Sequence, residues 1–288
     1  MCRLIDDILY FLGESGFECT VQTRSGLDVI CTKTIDGKHE RMVIPLEISA
    51  NSPDEAHELA EIADKATREL TSRPIIITED RWHSQHEMMK TRVLAHLEVF
   101  DQVYARNCEI RKIDKVTAAE FLTANHSYGD SSNRYRYGLF LKRHTGHIAS
   151  EGDETWKYPT GTMVAVGTFS NARKWIKGDS TVRSYEWIRY ASLPGLRISG
   201  GMGKLLKAFI EDVQPDDIMS YADLEWSEGA VYEQLGFTLE GQKEPVMFSV
   251  DEQWRRSPVK AGMTAPSDKL FYQNFGSNKY RLKLTDYE

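Results

Sequence analysis

Between a strand-like run ending at Ser192 and an amphipathic helix carrying Leu205 and Leu206, the chain reads Leu193-Pro194-Gly195-Leu196-Arg197-Ile198-Ser199-Gly200-Gly201-Met202-Gly203-Lys204. Glycine lets a backbone approach an anion with no Cβ in the way, and the first-turn N–H groups of a helix point outward together with no carbonyl to meet them. A strand, a glycine turn and a helix in that order can grip a diphosphate, the helix dipole adding partial positive charge. Gly200, Gly201, Met202, Gly203 and Lys204 form the candidate cradle, with charge from Arg197 or Lys204 beside it. The plainer reading is a glycine turn that serves packing alone.

Other residues have the types that acid–base chemistry needs. Asp223 stands at the end of a strand expected over Asp217–Ala222, where open α/β sheets place ligand-contacting groups, and His126 is of the side-chain type suited to proton transfer near neutral pH. Either is a candidate base; alternatively Asp223 caps a turn and His126 bonds inside a loop. Tyr232 lies at helical spacing with Leu235, the pattern of a core tyrosine. Glu186 and Arg189 stand three apart on a strand and face opposite ways unless a bulge intervenes. The loop Ser131–Arg136, with Asn133, Arg134, Tyr135 and Arg136, mixes guanidinium and aromatic groups, a combination that holds phosphates and stacks on bases but is also common on ordinary surfaces; Tyr128, Arg134, Arg136 and Arg189 are the expected contacts to nucleic acid or substrate. Trp156–Tyr158 and Arg173–Lys177 extend that composition.

These residues need a scaffold, and 288 residues suffice for two domains. The first hundred residues predict helices over Leu4–Leu12, Pro53–Leu70 and Trp82–Leu94, and strands over Glu18–Thr23, Asp28–Thr34, Glu40–Ile48 and Pro74–Thr78. Ser52-Pro53-Asp54-Glu55 is a helix start, with an N-cap, a first-turn proline and a capping-box acid. After a boundary placed near residue 108, strands and helices alternate as far as Val250, with helices expected over Thr117–Ala124, Met202–Asp212 and Ser227–Leu235. Residues 251–288 have no periodicity and read as a tail packed on a domain. The expected division is 1–108, 109–250 and 251–288.

The net charge of −7 argues against a protein that coats nucleic acid by bulk electrostatics. The deficit lies in residues 1–110, with 12 basic against 20 acidic residues, so an anion-binding face belongs to the remainder. Cys2, Cys19, Cys31 and Cys108 are scattered without metal-finger or disulfide spacing. There is no apolar run of membrane length and no secretory leader, which predicts a cytoplasmic protein with no membrane partner.

The order αβββαβ in the first part resembles the core of the PD-(D/E)xK nuclease superfamily. That resemblance implies a metal held by Asp28 and Glu47, with Ser49 where the family has lysine. The plainer reading is a turn-capping Asp28 and a solvated Glu47, or a degenerate nuclease fold used for docking. In the second part, Arg197-x-x-Gly200-x-Met202 followed by Leu205-Leu206 resembles the Q/R-x-x-G-x-G/A element of GNAT acyltransferases, with Met202 as the departure. Ala230-Val231-Tyr232-Glu233-Gln234-Leu235-Gly236-Phe237 is similar to a second GNAT element. The blocks Asn125-His126-Ser127-Tyr128-Gly129, Tyr185 to Tyr190, Ser199 to Leu206 and Ser220 to Ser227 are similar to GNAT-like domains of phage and homing-endonuclease-associated proteins. The Ser220-Tyr221-Ala222-Asp223 piece is also similar to Mom-type DNA-modification enzymes.

The resemblance implies an α+β fold, a mixed sheet with splayed central strands, and acetyl-CoA or another acyl-CoA as cofactor. Main-chain groups of Ala191 to Leu193 would contact its pantetheine arm, and Tyr232 would protonate the leaving thiolate. The expected activity is acyl transfer to an amine, with a nucleic-acid base as the expected acceptor. The alternatives are a metal-dependent nuclease or DNA-binding protein with a non-catalytic GNAT-like domain, and a small-molecule or protein N-acetyltransferase.

Overall fold

The computed structural model describes residues 3–147, 156–177, 180–259 and 269–287. The chain begins with α1 (Leu4–Glu14), then β1 (Cys19–Arg24), β2 (Leu27–Lys33) and β3 (Glu40–Leu46), an antiparallel meander. Next, α2 (Pro53–Arg68) leads to β4 (Ile75–Thr78), which pairs parallel to β3, and α3 (Glu79–Ser84) and α4 (His86–His96) follow. The expected order αβββαβ is present. Ser52 Oγ accepts from the Glu55 amide at 3.2 Å and Glu55 accepts from the Asn51 amide at 2.8 Å, so α2 starts where the capping residues place it. The apolar spacing of α1 sets Leu4, Ile5, Ile8 and Leu12 against Ile30, Val43, Ile75 and Ile77. The helix expected over Trp82–Leu94 is instead two, broken at Gln85 (φ −134°, ψ 40°).

Next come β5 (Asp101–Tyr104), a 3-10 turn (Ala105–Asn107), β6 (Cys108–Lys112), α5 (Lys115–Asn125), β7 (Tyr135–Leu141), β8 (Thr145–His147) and β9 (Trp156–Tyr158). The centre is β10 (Met163–Phe169), β11 (Arg173–Lys177), β12 (Ser180–Ser192), β13 (Leu196–Ser199), α6 (Gly201–Val213) and β14 (Asp217–Asp223). The rest is α7 (Ala230–Gln234), β15 (Thr238–Lys243), β16 (Met247–Val250), β17 (Arg256–Pro258), β18 (Leu270–Gln273) and β19 (Ser277–Lys283). The large mixed sheet has the order β15-β19-β14-β12-β10-β7-β6, with β11 against β12, and a smaller sheet has the order β17-β16-β18. The fold is α+β, as expected.

The chain divides differently from the expectation. One compact unit holds Met1–Val99, Ala222–Ala230 and Gly241–Asn278, and the other holds Phe100–Tyr221, Val231–Glu240 and Lys279–Glu288. The first boundary falls before residue 108 because β5 pairs in parallel with β13, Asp101 opposite Leu196 through Tyr104 opposite Ser199. The described residues of 251–288, expected as a packed tail, contribute strands: β17 and β18 flank β16, and β19 joins the large sheet beside β14.

In the second unit, α6 and α5 cover opposite faces of the sheet. Phe209 of α6 stacks on Phe169 with ring centroids 3.9 Å apart, and Leu205 lies so close over Gly167 that a Cβ there would sit 3.1 Å from its Cδ1. On the other face, Ala118, Phe121 and Leu122 of α5 pack on Val166 and Ala191.

Candidate active site

The site is built where β12 and β14 part. Their parallel pairing joins Ser184, Tyr185 and Glu186 to Asp217, Ile218 and Met219, and ends there, although β12 runs on to Ser192 and β14 to Asp223. A bulge supplies the cause: Thr168 of β10 faces Arg189 and Phe169 faces Trp187, so Ile188 is an extra residue in β12. An inserted residue bends a strand and increases its twist. Beyond it β12 stays with β10. At the vertex, Ser220 Oγ donates to the Trp187 carbonyl at 2.9 Å.

The phase of the ladder corrects two expected contacts. The Leu193 amide donates to the Val164 carbonyl at 3.0 Å, and alternation along an antiparallel pair turns the main-chain groups of Ala191 to β10 as well. Tyr190 and Ser192, not Ala191 and Leu193, therefore turn their backbone groups to the open side.

Beside the splayed half of β12 lies the first turn of α6. Gly200 is its N-cap at φ +76°, a conformation that favours glycine, and its carbonyl accepts from the Lys204 amide at 3.0 Å. The amides of Gly201, Met202 and Gly203 precede the first intrahelical bond and have no helical carbonyl to meet. Packing also demands these glycines: a Cβ on Gly201 would lie 2.9 Å from Ile198 Cγ2 and 3.0 Å from the Tyr190 hydroxyl, and one on Gly203 would lie 3.2 Å from Leu235 Cδ2. Met202 is half-buried. The two expected cations are placed otherwise. Lys204 Nζ donates to the carbonyls of Ala105 (2.9 Å) and Cys108 (2.6 Å), tying α6 to the turn before β6, and exposed Arg197 lies over the Phe100 ring at 5.2 Å.

Tyr232 stands at the vertex. Its ring stacks on Tyr280 (5.3 Å) and meets Trp187 edge-on (6.3 Å), and its hydroxyl is 2.8 Å from Ser220 Oγ. Burial raises its pKa, with Ser220 opposing, so the phenol keeps its proton at neutral pH. Ser220 has one proton for two neighbours, the Trp187 carbonyl and the phenol oxygen. It can turn to either one. The sequence held Ser220 within a noted block but gave no sign of this role.

The two expected bases are engaged elsewhere. Asp223 Oδ1 accepts from the Glu225 amide at 3.0 Å and its carbonyl accepts from the amides of Trp226 and Ser227, so it caps the turn after β14 and belongs to the first unit. His126 Nδ1 accepts from the Tyr128 amide at 3.1 Å, which leaves the ring proton on Nε2, and its carbonyl accepts from the Gly129 amide. As a base, His126 would have to give up that loop bond. Arg189 leans over the Tyr128 ring at 5.8 Å and donates to the Gly129 carbonyl at 3.2 Å. Arg136 donates to the Asn133 carbonyl at 2.8 Å, and Arg134 is exposed. On β11, Trp175 and Ile176 are exposed; the side chains of Trp156 and Lys177 lie outside the described residues.

Asp28 and Glu47 do come together, around a guanidinium. Arg3 lies 3.1 Å from Asp28 and 3.7 Å from Glu47. Lys38, the alternative cation, is paired with Asp36 in the β2–β3 turn at 2.9 Å. Among the described residues no three carboxylate, histidine or cysteine side chains converge as a metal-binding group. Where the nuclease resemblance implies a metal between Asp28 and Glu47, the two acids share the Arg3 guanidinium.

Neither a protein-family profile nor a curated protein matches the chain. Among solved structures, one described as histone acetyltransferase HPA2 and related acetyltransferase from Corynebacterium glutamicum aligns over 51% of this chain at 14% identity and a TM-score of 0.27. This chain covers 62% of that protein, less than two thirds of its length. The KacTA–DNA complex aligns over 58% of this chain and 92% of its own, at 18% identity and a TM-score of 0.27. A mutant AtaT toxin bound to the C-terminus of the antitoxin AtaR and acetyl-CoA aligns over 58% and 93%, at 12% identity and a TM-score of 0.26. Alignments this loose decide nothing about the site; the strands and side chains of the chain itself do.

Proposed function

We propose that the second unit is an acyl-CoA-dependent N-acyltransferase of the GNAT type that acylates an amine on a nucleic-acid base. The carrying observation is the parting of β12 and β14 after Glu186 and Met219, with the Tyr232 hydroxyl at the vertex and the first turn of α6 alongside. The residues fit the cofactor: amides of Gly201, Met202 and Gly203 would hold the diphosphate, and the outward backbone groups of Tyr190 and Ser192 would bond the pantetheine arm. An acyl-CoA, when bound, would supply the acyl group as its thioester, with coenzyme A as the leaving thiol. Tyr232 holds a proton for a departing thiolate, and Ser220 steadies the phenolate left behind. Lys204 contributes by anchoring α6, not by its charge.

A nucleic-acid acceptor is favoured by the exposed Trp175 beside Arg173 and Lys174 and by the ring of Tyr128 beneath Arg189. The acid pair bridged by Arg3 gives the nuclease alternative no comparable support.

Calorimetry with acetyl-CoA tests the cofactor. Binding is expected, with Gly201→Ala weakening it by about tenfold or more because the new Cβ displaces the first turn from Ile198 and Tyr190. No binding by the folded wild type would reject the transferase. Mass analysis of nucleosides from cells making the protein tests the acceptor, where an unchanged profile alongside acetyl-CoA binding removes nucleic acid.

A further inference from the structure

One line of residues across the α5 face of the sheet is not explained by packing. Arg136, Thr168 and Arg189 stand directly opposite one another on β7, β10 and β12, one step beyond Gly138, Val166 and Ala191. Aligned residues on neighbouring antiparallel strands share a face, and Val166 and Ala191 fix this one as the face that α5 covers. Past the end of α5 the loop 126–134 folds over the row, since Arg189 donates to Gly129 and Arg136 to Asn133.

The row is polar where it should be dry. Thr168 is 0% exposed, yet its hydroxyl has no partner, and neither do Arg136 Nε and Asn133 Oδ1 among the described residues. Asn133 is not simply misoriented, because its amide nitrogen already donates to Asp130 Oδ1 at 3.0 Å and to the Ser131 carbonyl at 2.7 Å. No carboxylate lies within ion-pair distance of either guanidinium among the described residues. Burial lowers the pKa of Arg189, only partly offset by Glu186, Tyr128 and Asp130, so its charge lacks a close counter-ion. Buried donors left open in this way destabilise a fold unless something comes to meet them.

We propose that Arg136, Thr168 and Arg189 form an oxyanion subsite that takes the phosphate of a nucleotide in the acceptor, with the exposed Tyr128 ring as the adjoining stacking surface. The proposal deepens the transferase reading and rests on it for the identity of the bound molecule as acceptor. Two guanidiniums and a hydroxyl donate to the phosphate oxygens, and Asn133 Oδ1 accepts an N–H or O–H of the same ligand. A phosphate suits the row better than a carboxylate because two cations are present, and the neighbouring aromatic surface suits a base.

The test is titration of the full-length protein with adenosine 5′-monophosphate, adenosine, inorganic phosphate and sodium acetate, with coenzyme A titrated separately. The monophosphate is expected to bind about tenfold or more tightly than adenosine, to be displaced by phosphate but not by acetate, and to weaken about tenfold in Thr168→Val and Arg136→Gln. Coenzyme A affinity should be unchanged in both variants. Equal affinity for monophosphate and adenosine, no binding of either, or a Thr168→Val protein that binds like wild type would overturn the proposal. Acetate competing as well as phosphate would reassign the row to carboxylates and overturn it too. Should Arg136→Gln not fold, Thr168→Val, which replaces one oxygen by a methyl, decides alone. Intact monophosphate binding with no coenzyme A binding would refute the transferase and leave the subsite.

Discussion

At the scale of single residues, two side chains separate chemistry from support. Tyr232 keeps its proton because burial disfavours the phenolate, and in the proposed reaction Ser220 would donate to that phenolate. Tyr232→Phe keeps the stack on Tyr280 and the edge contact with Trp187 while removing the proton. Its kcat is expected to fall by about 10²- to 10⁴-fold with acetyl-CoA affinity within a factor of about two, measured by single-turnover assay and calorimetry. A merely structural role would show instead as lost stability with kcat retained. His126 calls for the reverse outcome. Asparagine can present an oxygen where Nδ1 accepts the Tyr128 amide, so His126→Asn should keep most activity and His126→Ala should lose it through the loop. If both variants lose activity equally, with wild-type melting temperatures, His126 is a base and the loop-positioning role is wrong.

At the scale of elements, the legible parts of the sequence were those with local signals. The capping residues at Ser52 and Glu55 set α2, and the glycine turn followed by Leu205 and Leu206 set α6. Tyr232 was singled out by family likeness, since its helical spacing with Leu235 alone reads as a core tyrosine. The splay was implied by family likeness, whereas its cause, the extra residue Ile188, has no compositional mark, because a bulge depends on the partner strand. The pairing of β5 with β13 was illegible for the same reason: each strand is four residues long and they lie nearly a hundred positions apart. Arg3 between Asp28 and Glu47 is likewise a product of where α1 starts relative to β2 and β3. An element-scale prediction concerns α4. Burial, aided by Arg41, lowers the pKa of His96 to about 4, while its ring bonds the Met42 carbonyl at 3.1 Å. Between pH 6.5 and 4 the unfolded chain therefore binds a proton that the folded chain refuses, and the stability present above 6.5 is lost as pH falls. Urea unfolding should show a loss of roughly 3 kcal/mol at most from this group by pH 4, and His96→Gln should flatten that part of the curve. Glu240, held down to about 2 by Arg281, loses its contribution between 4.5 and 2, so its window opens as that of His96 closes.

At the scale of the whole molecule, the chain returns to each unit after leaving it, and the first unit is completed only by segments far along the sequence. Its most buried charges show why that matters. Glu225, 0% exposed, lies 2.8 Å from Arg81 and 3.4 Å from Arg256, and accepts from the Tyr272 hydroxyl; Arg256 in turn pairs with Asp80 and donates to Thr78 at 2.7 Å. Arg81 and Asp80 come from α3, Glu225 from the segment after β14, and Arg256 and Tyr272 from the sheet of β16, β17 and β18. Removing one member of such a network leaves a buried charge without its counter-ion, a loss of about 3–5 kcal/mol. Glu225→Ala should therefore lower the unfolding free energy by about that amount, and Glu225→Gln by less, because the amide oxygen still accepts from Tyr272. A fragment ending at residue 108 lacks Glu225, Arg256 and Tyr272 altogether and should lack a cooperative thermal transition by circular dichroism. A sharp transition in that fragment, or a Glu225→Ala protein as stable as wild type, would show that the first unit closes without its late segments and that the buried network does not hold it together.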